Sequence, residues 1–160
     1  MDISFRPMTL ADAQTLVGWQ YSAPYTLYNV AADDAAEALE FFADPANAYY
    51  AGLGAQGDLV AFRCFGADAQ VRGGDYPPSA LDTGGGMRPD LTGRGLGLPV
   101  LLAGLALGRR LFAPRAFRVT VAAFNRRALT VVGRAGFQPA QRFTRAADGR
   151  EFVVLVRDPA

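Results

Sequence analysis

Histidine and lysine are both missing from this chain, and cysteine occurs once, as Cys64. Each absence removes a class of chemistry. Without imidazole there is no Ser-His-Asp or Cys-His catalysis and no histidine ligand, so no metal site is expected. One cysteine forms neither an intramolecular disulfide nor a thiolate cluster, and its setting, Ala61-Phe62-Arg63-Cys64-Phe65, reads as a buried strand. Without lysine the Gly-x-x-x-x-Gly-Lys-Ser/Thr nucleotide loop cannot be built. A basic block is also lacking: 16 arginines against 15 acidic residues leave a net charge of +1, which gives no argument for nucleic acid or an anionic membrane as partner. The opening Met1-Asp2-Ile3-Ser4 has neither the basic nor the apolar segment of a secretion signal, and no apolar run is long enough to span a bilayer. The expectation is a protein of a reducing cytoplasm.

What is present is enough for one domain over residues 1–160, since 160 residues that are 51% hydrophobic can bury a core without disulfides or metal. No repeat or linker divides it. Residues 2–6 read as a strand, Thr9 as the N-cap of a helix over 11–19, and Asp33-Asp34 as the opening of a second helix that ends before Pro45. Residues 49–53 and 59–65 read as strands, 66–78 as a longer connection, and 80–88 as another strand. Beyond it Leu98, Leu101, Leu102, Leu105 and Phe112 recur at helical spacing and predict one buried face, with Gly104 and Gly108 allowing close packing. Phe117 to Val121 alternate as a strand, Asn125 caps a helix, and Asp148-Gly149 turns a closing hairpin. Pattern alone supports a mixed α/β domain.

The most specific stretch is Arg88-Pro89-Asp90-Leu91-Thr92-Gly93-Arg94-Gly95-Leu96-Gly97, which runs directly into the apolar helix. Glycines at 93, 95 and 97 let consecutive N–H groups converge on an anion at the positive end of the helix dipole, with Arg94 beside them. The dinucleotide fingerprint does not fit. It needs Gly-x-Gly-x-x-Gly and an acidic residue about 20 positions on, whereas here the spacing is Gly-x-Gly-x-Gly and no Asp or Glu lies between Asp90 and Asp148.

Thr92-Gly93-Arg94-Gly95-Leu96-Gly97 instead resembles the pyrophosphate loop of the GCN5-related N-acetyltransferases, Gln/Arg-x-x-Gly-x-Gly/Ala, with Thr92 where Gln or Arg is usual. A second segment resembles the next motif of that family: Asn125-Arg126-Arg127-Ala128, followed by a short helix ending in Gly136-Phe137. The resemblance implies a mixed central sheet of six to seven strands flanked by helices, with central strands that splay apart. It implies acetyl-CoA as cofactor, held by Met87, Thr92, Gly93, Arg94, Gly95, Leu96, Gly97 and Asn125. It also implies direct acetyl transfer to the primary amine of a small molecule or peptide, and is compatible with a homodimer.

Direct transfer needs a neutral amine, a donor for the oxyanion and a proton acceptor, but no covalent nucleophile. By resemblance the oxyanion donor is the Met87 N–H, on a strand whose Gly84-Gly85-Gly86 also reads as a bulge or a place of close approach. Asp82 on the same strand is the candidate base, with Asp75 and Asp90 as alternatives and a solvated surface role equally open to it. Relatives commonly carry a tyrosine acid where this chain has Val132. The acceptor falls to the segment between the first two helices, where Trp19, Tyr21, Tyr25 and Tyr28 either wall a pocket or pack on the sheet. Two other readings stand beside the enzyme: an acyl-CoA sensor without catalysis, prompted by Val132, and a regulator that binds ATP or NAD through the same loop.

Overall fold

A computed structural model describes residues 1–158. Strand β1 (Ser4–Pro7) leads into helix α1 (Leu10–Val17), which starts where Thr9 and Asp12 close a capping box, each side chain bonding the other's backbone N–H. The helix stops two residues short of the expected end, so Trp19 lies beyond it and is buried. Helix α2 (Ala35–Ala43) follows a single 3₁₀ turn that contains Asp33 and Asp34. Strands β2 (Tyr49–Leu53), β3 (Leu59–Phe65) and β4 (Leu81–Met87) run antiparallel, each to the one before it. Helix α3 (Gly97–Phe112), strand β5 (Phe117–Ala122), helix α4 (Arg126–Arg134) and the hairpin β6 (Gln138–Thr144) to β7 (Glu151–Arg157) complete the chain.

The seven strands form one sheet in the order β1-β2-β3-β4-β5-β7-β6. Side chains alternate between its faces. Cys64 packs with Ala13, Leu16 and Tyr49 under α1 and α2, whereas its neighbour Phe65 packs with Leu101, Leu105 and Phe117 under α3. Cys64 is thus the buried strand residue its setting suggested, and burial pushes its thiol pKa up.

Helix α3 buries Val100, Leu101, Gly104, Leu105, Leu107 and Gly108. Leu102 and Phe112, expected on that face, are 43% and 44% exposed. Leu102 is rotated about 100° from Leu101, which puts it at the margin of the stripe. Gly108 admits the sheet as expected, since a Cβ there would stand 2.6 Å from the Phe65 ring and 2.9 Å from Phe117.

The feature that positions the site is the parallel pair β4–β5. It lasts for two residue pairs, Leu81 with Phe117 and Asp82 with Arg118, after which the strands diverge. The last pair is also a buried ion pair: Arg118 Nε donates to Asp82 Oδ1 at 2.6 Å and Nη2 to Oδ2 at 2.7 Å. Gln70 Nε2 donates to Asp82 Oδ2 at 2.8 Å, and Arg118 Nη1 donates to the Pro77 carbonyl at 2.9 Å. The hydrogen bonds to Asp82 raise the Arg118 pKa above its ordinary value.

This corrects the expectation that Asp82 is a base. Its two oxygens are committed to a guanidinium and an amide, and it is 4% exposed. Both oxygens of an aspartate so held are taken up in positioning Arg118 and Gln70, and the carboxylate does not line the gap that opens where the strands diverge. Replacing Asp82 by Ala is therefore predicted to cost about 3–5 kcal/mol, because it leaves Arg118 buried and uncompensated. Thermal unfolding should show Tm falling by roughly 10 °C. A role confined to proton transfer predicts an unchanged Tm.

Candidate active site

Beyond Asp82 the β4 backbone faces a gap. Arg88 N–H donates to the Val60 carbonyl at 2.9 Å, and antiparallel alternation along the β3–β4 register then turns the N–H and C=O groups of Thr83, Gly85 and Met87 away from β3. Pairing of Asp82 with Arg118 takes the Thr83 N–H, and with β5 diverged beyond it the groups of Gly85 and Met87 line one wall of a cleft of about 730 Å³, with Val119, Thr120 and Val121 on the other. The predicted splay is present. Gly85 is glycine because a Cβ would stand 2.5 Å from the Phe62 carbonyl oxygen.

The glycine loop closes one end of the cleft. Gly93 and Gly95 adopt φ of 75° and 76°, the left-handed region that glycine enters without a Cβ penalty. Helix α3 then begins at Gly97 with no side chain capping it and no acidic residue in its first turn. Its leading N–H groups are left for an anion. Thr92 turns inward, its Oγ donating to the Pro89 carbonyl at 2.7 Å. Thr92, Gly93, Gly95 and Gly97 line the cleft, whereas Arg94 is exposed and neither it nor Leu96 lines the cleft. A Cβ on Gly95 would meet nothing within 4 Å, so the cradle is open there.

Helix α4 supplies the positive charge that Arg94 was expected to bring. Arg126, Arg127 and Arg134 border the cleft, with Arg127 Nη2 3.6 Å from where a Gly93 Cβ would stand. These arginines were not singled out from the sequence, although the lack of any acidic residue between Asp90 and Asp148 signalled an electropositive region. Asn125 caps the helix by accepting from Ala128 N–H at 3.1 Å, and its Nδ2 donates to the Tyr28 hydroxyl at 3.0 Å.

That bond belongs to a strap of aromatic residues across the cleft. Trp19, Tyr21, Tyr25 and Tyr28 all line it, as expected of an acceptor wall, and all four also pack. Tyr21 Oη donates to the Met87 carbonyl at 2.7 Å, and burial pushes its pKa up to about 12. Tyr28 stacks on Phe124 with ring centroids 6.4 Å apart, and desolvation raises its hydroxyl pKa. Tyr25 lies beneath the Arg127 guanidinium at 4.9 Å. Trp19 packs against Phe62.

Among the described residues no Asp, Glu or Cys lines the cleft. Asp75 is exposed, and Asp90 pairs with Arg88 at 2.7 Å outside the cleft, so neither alternative base reaches it. Val132 lines the cleft and is buried in the core. Arg63 enters the wall from β3, and burial pushes its pKa down to about 10. No group of three or more potential metal ligands occurs among the described residues, and no described helix is long and apolar enough to cross a membrane.

No family model and no curated protein sequence matches this chain. Solved structures do. A SpeG spermidine N-acetyltransferase chimera from Vibrio cholerae and hSSAT aligns over 99% of this chain and 96% of its own, with TM-score 0.73 and 14% identity. The aminoglycoside acetyltransferase AAC(6')-Ib in complex with coenzyme A aligns over 98% and 95%, with TM-score 0.76 and 16% identity. A GNAT-family acetyltransferase from Bacillus anthracis aligns over 99% and 96%, with TM-score 0.73 and 12% identity. At these identities the similarity is one of architecture, and the chain has the fold of the GCN5-related N-acetyltransferases.

Proposed function

We propose that the protein is an N-acetyltransferase that moves an acetyl group from acetyl-CoA directly to a primary amine of a small molecule or peptide. The observation that carries this reading is the uncapped start of α3 behind an open glycine loop, at the end of a gap lined by unpaired β4 backbone. The fit to acetyl-CoA is chemical. The backbone N–H groups of 93–97 together with Arg127 suit a pyrophosphate, the Thr83–Met87 edge suits the amides of a pantetheine arm, and Val119 and Val121 offer it an apolar opposite wall.

Acetyl-CoA supplies the activated acyl group, and the chain supplies position and charge. Met87 N–H, facing the gap, is assigned to the carbonyl oxygen that gains charge on attack. Tyr21 fixes that stretch of backbone by holding the Met87 carbonyl. Its hydroxyl proton is spent there, whereas Tyr28 accepts from Asn125 and keeps its own proton to donate. Tyr28 therefore takes the role of acid toward the departing thiolate that Val132 cannot fill. A second reading, acyl-CoA binding without transfer, is favoured by the absence of a base and by Val132. Release of free thiol with an amine panel separates the two.

Replacing Gly95 by Asp places a carboxylate in the cradle and is predicted to weaken CoA binding in calorimetry about a hundredfold or more, some 3 kcal/mol. Gly95→Asn meets the same backbone demand without the charge and should keep most of the affinity. Equal losses in the two variants contradict the assignment. For Tyr28→Phe, the rate of transfer should fall about a hundredfold with CoA affinity within about twofold. A thiolate that leaves unaided predicts no change.

Among the described residues the cleft has no carboxylate or imidazole to receive the ammonium proton, and on this reading the acceptor enters as the free amine. The logarithm of kcat/KM should rise with pH at unit slope and level off at the acceptor's own amine pKa, moving when a less basic acceptor is used. A plateau at one pH for every acceptor reveals a base on the protein.

A further inference from the structure

Arg63 is a charged group in the cleft wall that the reading above does not use. It projects from β3 and is 7% exposed. Room for it is built by glycines on the adjacent strand and on the covering helix: a Cβ at Gly85 on β4 would stand 2.8 Å from its guanidinium carbon, and one at Gly104 on α3 would stand 2.8 Å from its Nε. Yet nothing in the protein answers its charge. Its buried Nε has no hydrogen-bond partner, and among the described residues it takes part in no ion pair. The other buried arginine on the sheet, Arg118, has Asp82 as counter-ion.

A buried cation without a partner is a costly group to keep in a fold, and the cost is met when an anion arrives. The phosphate loop has its own cations on α4, with Arg127 beside Gly93, whereas Arg63 stands beside Gly85 on the strand whose backbone faces the reacting end of the cleft. The cleft also offers nothing to a polycation. No acidic residue lines it among the described residues, and Asp33, Asp34, Glu37 and Glu40 of the α2 segment are exposed outside it.

We propose that Arg63 is a carboxylate subsite, so that the substrates of this protein include one bearing a carboxylate close to the transferred group. The carboxylate comes either from a dicarboxylic acyl chain on CoA or from an amino-acid acceptor, and both present the same planar partner to the guanidinium fork. The proposal rests on the acyl-CoA reading and narrows it. Spermidine and aminoglycosides, the amines named for structural neighbours, are the wrong charge for this cleft.

The test uses the full chain, calorimetry and thermal unfolding. Succinyl-CoA is compared with acetyl-CoA, and, with CoA present, glycine and phenylalanine are compared with their amides. The carboxylate-bearing member of one pair should bind about tenfold or more tightly, as a charge-assisted bond gives, and which pair responds identifies the source. Arg63→Met should erase that preference, leave CoA affinity within about twofold, and leave the Tm of the free protein unchanged or higher, since it removes an unpaired charge. A lower Tm with the preference intact makes Arg63 a packing residue and overturns the proposal. A wild-type protein that binds CoA esters, and amino acids beside CoA, without regard to their carboxylates overturns the subsite alone. A wild-type protein that binds no CoA ester overturns the acyl-CoA reading, and the subsite with it.

Discussion

The cleft exists because β4 and β5 are held together at one end and nowhere else. The ion pair between Asp82 and Arg118 occupies the last paired position of the two strands. It ties in Gln70 and the Pro77 carbonyl from the preceding connection. A buried pair of this kind adds little net stability over an apolar substitute, but removing one partner is severe, which makes it a device for position. It marks the point beyond which parallel pairing ends. Past it, the Thr83 carbonyl, the Gly85 N–H and C=O and the Met87 N–H face the gap without a strand partner, while the Met87 carbonyl accepts from Tyr21. The glycines of β4 follow from the same geometry: the Phe62 carbonyl and Arg63 guanidinium crowd Gly85, and the Phe62 ring and Tyr21 hydroxyl crowd Gly86.

Charge in the cleft is arranged one-sidedly. Asp58 and Asp90 pair with Arg88 outside it, and Asp82 pairs with Arg118 at its apex. What remains inside is an uncapped helix start, three arginines from α4 and the unpartnered Arg63. Such an interior favours polyanions and acceptors that enter uncharged or carrying negative charge. The aromatic strap encloses it by two hydrogen bonds at opposite walls, Tyr21 to Met87 on β4 and Tyr28 to Asn125 at α4. The aromatic segment, the β4 edge and the start of α4 are therefore mechanically one unit.

The fold was legible because its signals are local. Thr9 and Asn125 cap helices, the 93–97 loop begins one, and the alternation of Phe117 to Val121 marks a central strand. The conformation of the glycine loop was legible for the same reason, since the placement of its backbone follows from glycine spacing. The side-chain roles were not. Asp82 lies on the strand expected to carry a base, but Arg118 is 36 positions away and its pairing is a tertiary event. Arg63 reads in sequence as one charge among strand apolars, and its isolation becomes visible only when Gly85 and Gly104 are seen to make room for it. Tyr21 and Tyr28 were picked out as an aromatic cluster, whereas their hydrogen bonds to β4 and α4 join residues 66 and 97 positions apart.

The central claim is that the 93–97 loop and the free edge of β4 together bind one CoA ester. Amide-resolved hydrogen exchange measured with and without acetyl-CoA addresses it directly, because the groups assigned to the ligand are backbone N–H groups. The account predicts that the amides of Gly93, Gly95, Gly97, Gly85 and Met87 slow on addition of the ligand, while those of the β6–β7 hairpin are unchanged. Slowing confined to other parts of the chain, or none at the loop and β4 under saturating acetyl-CoA, contradicts it.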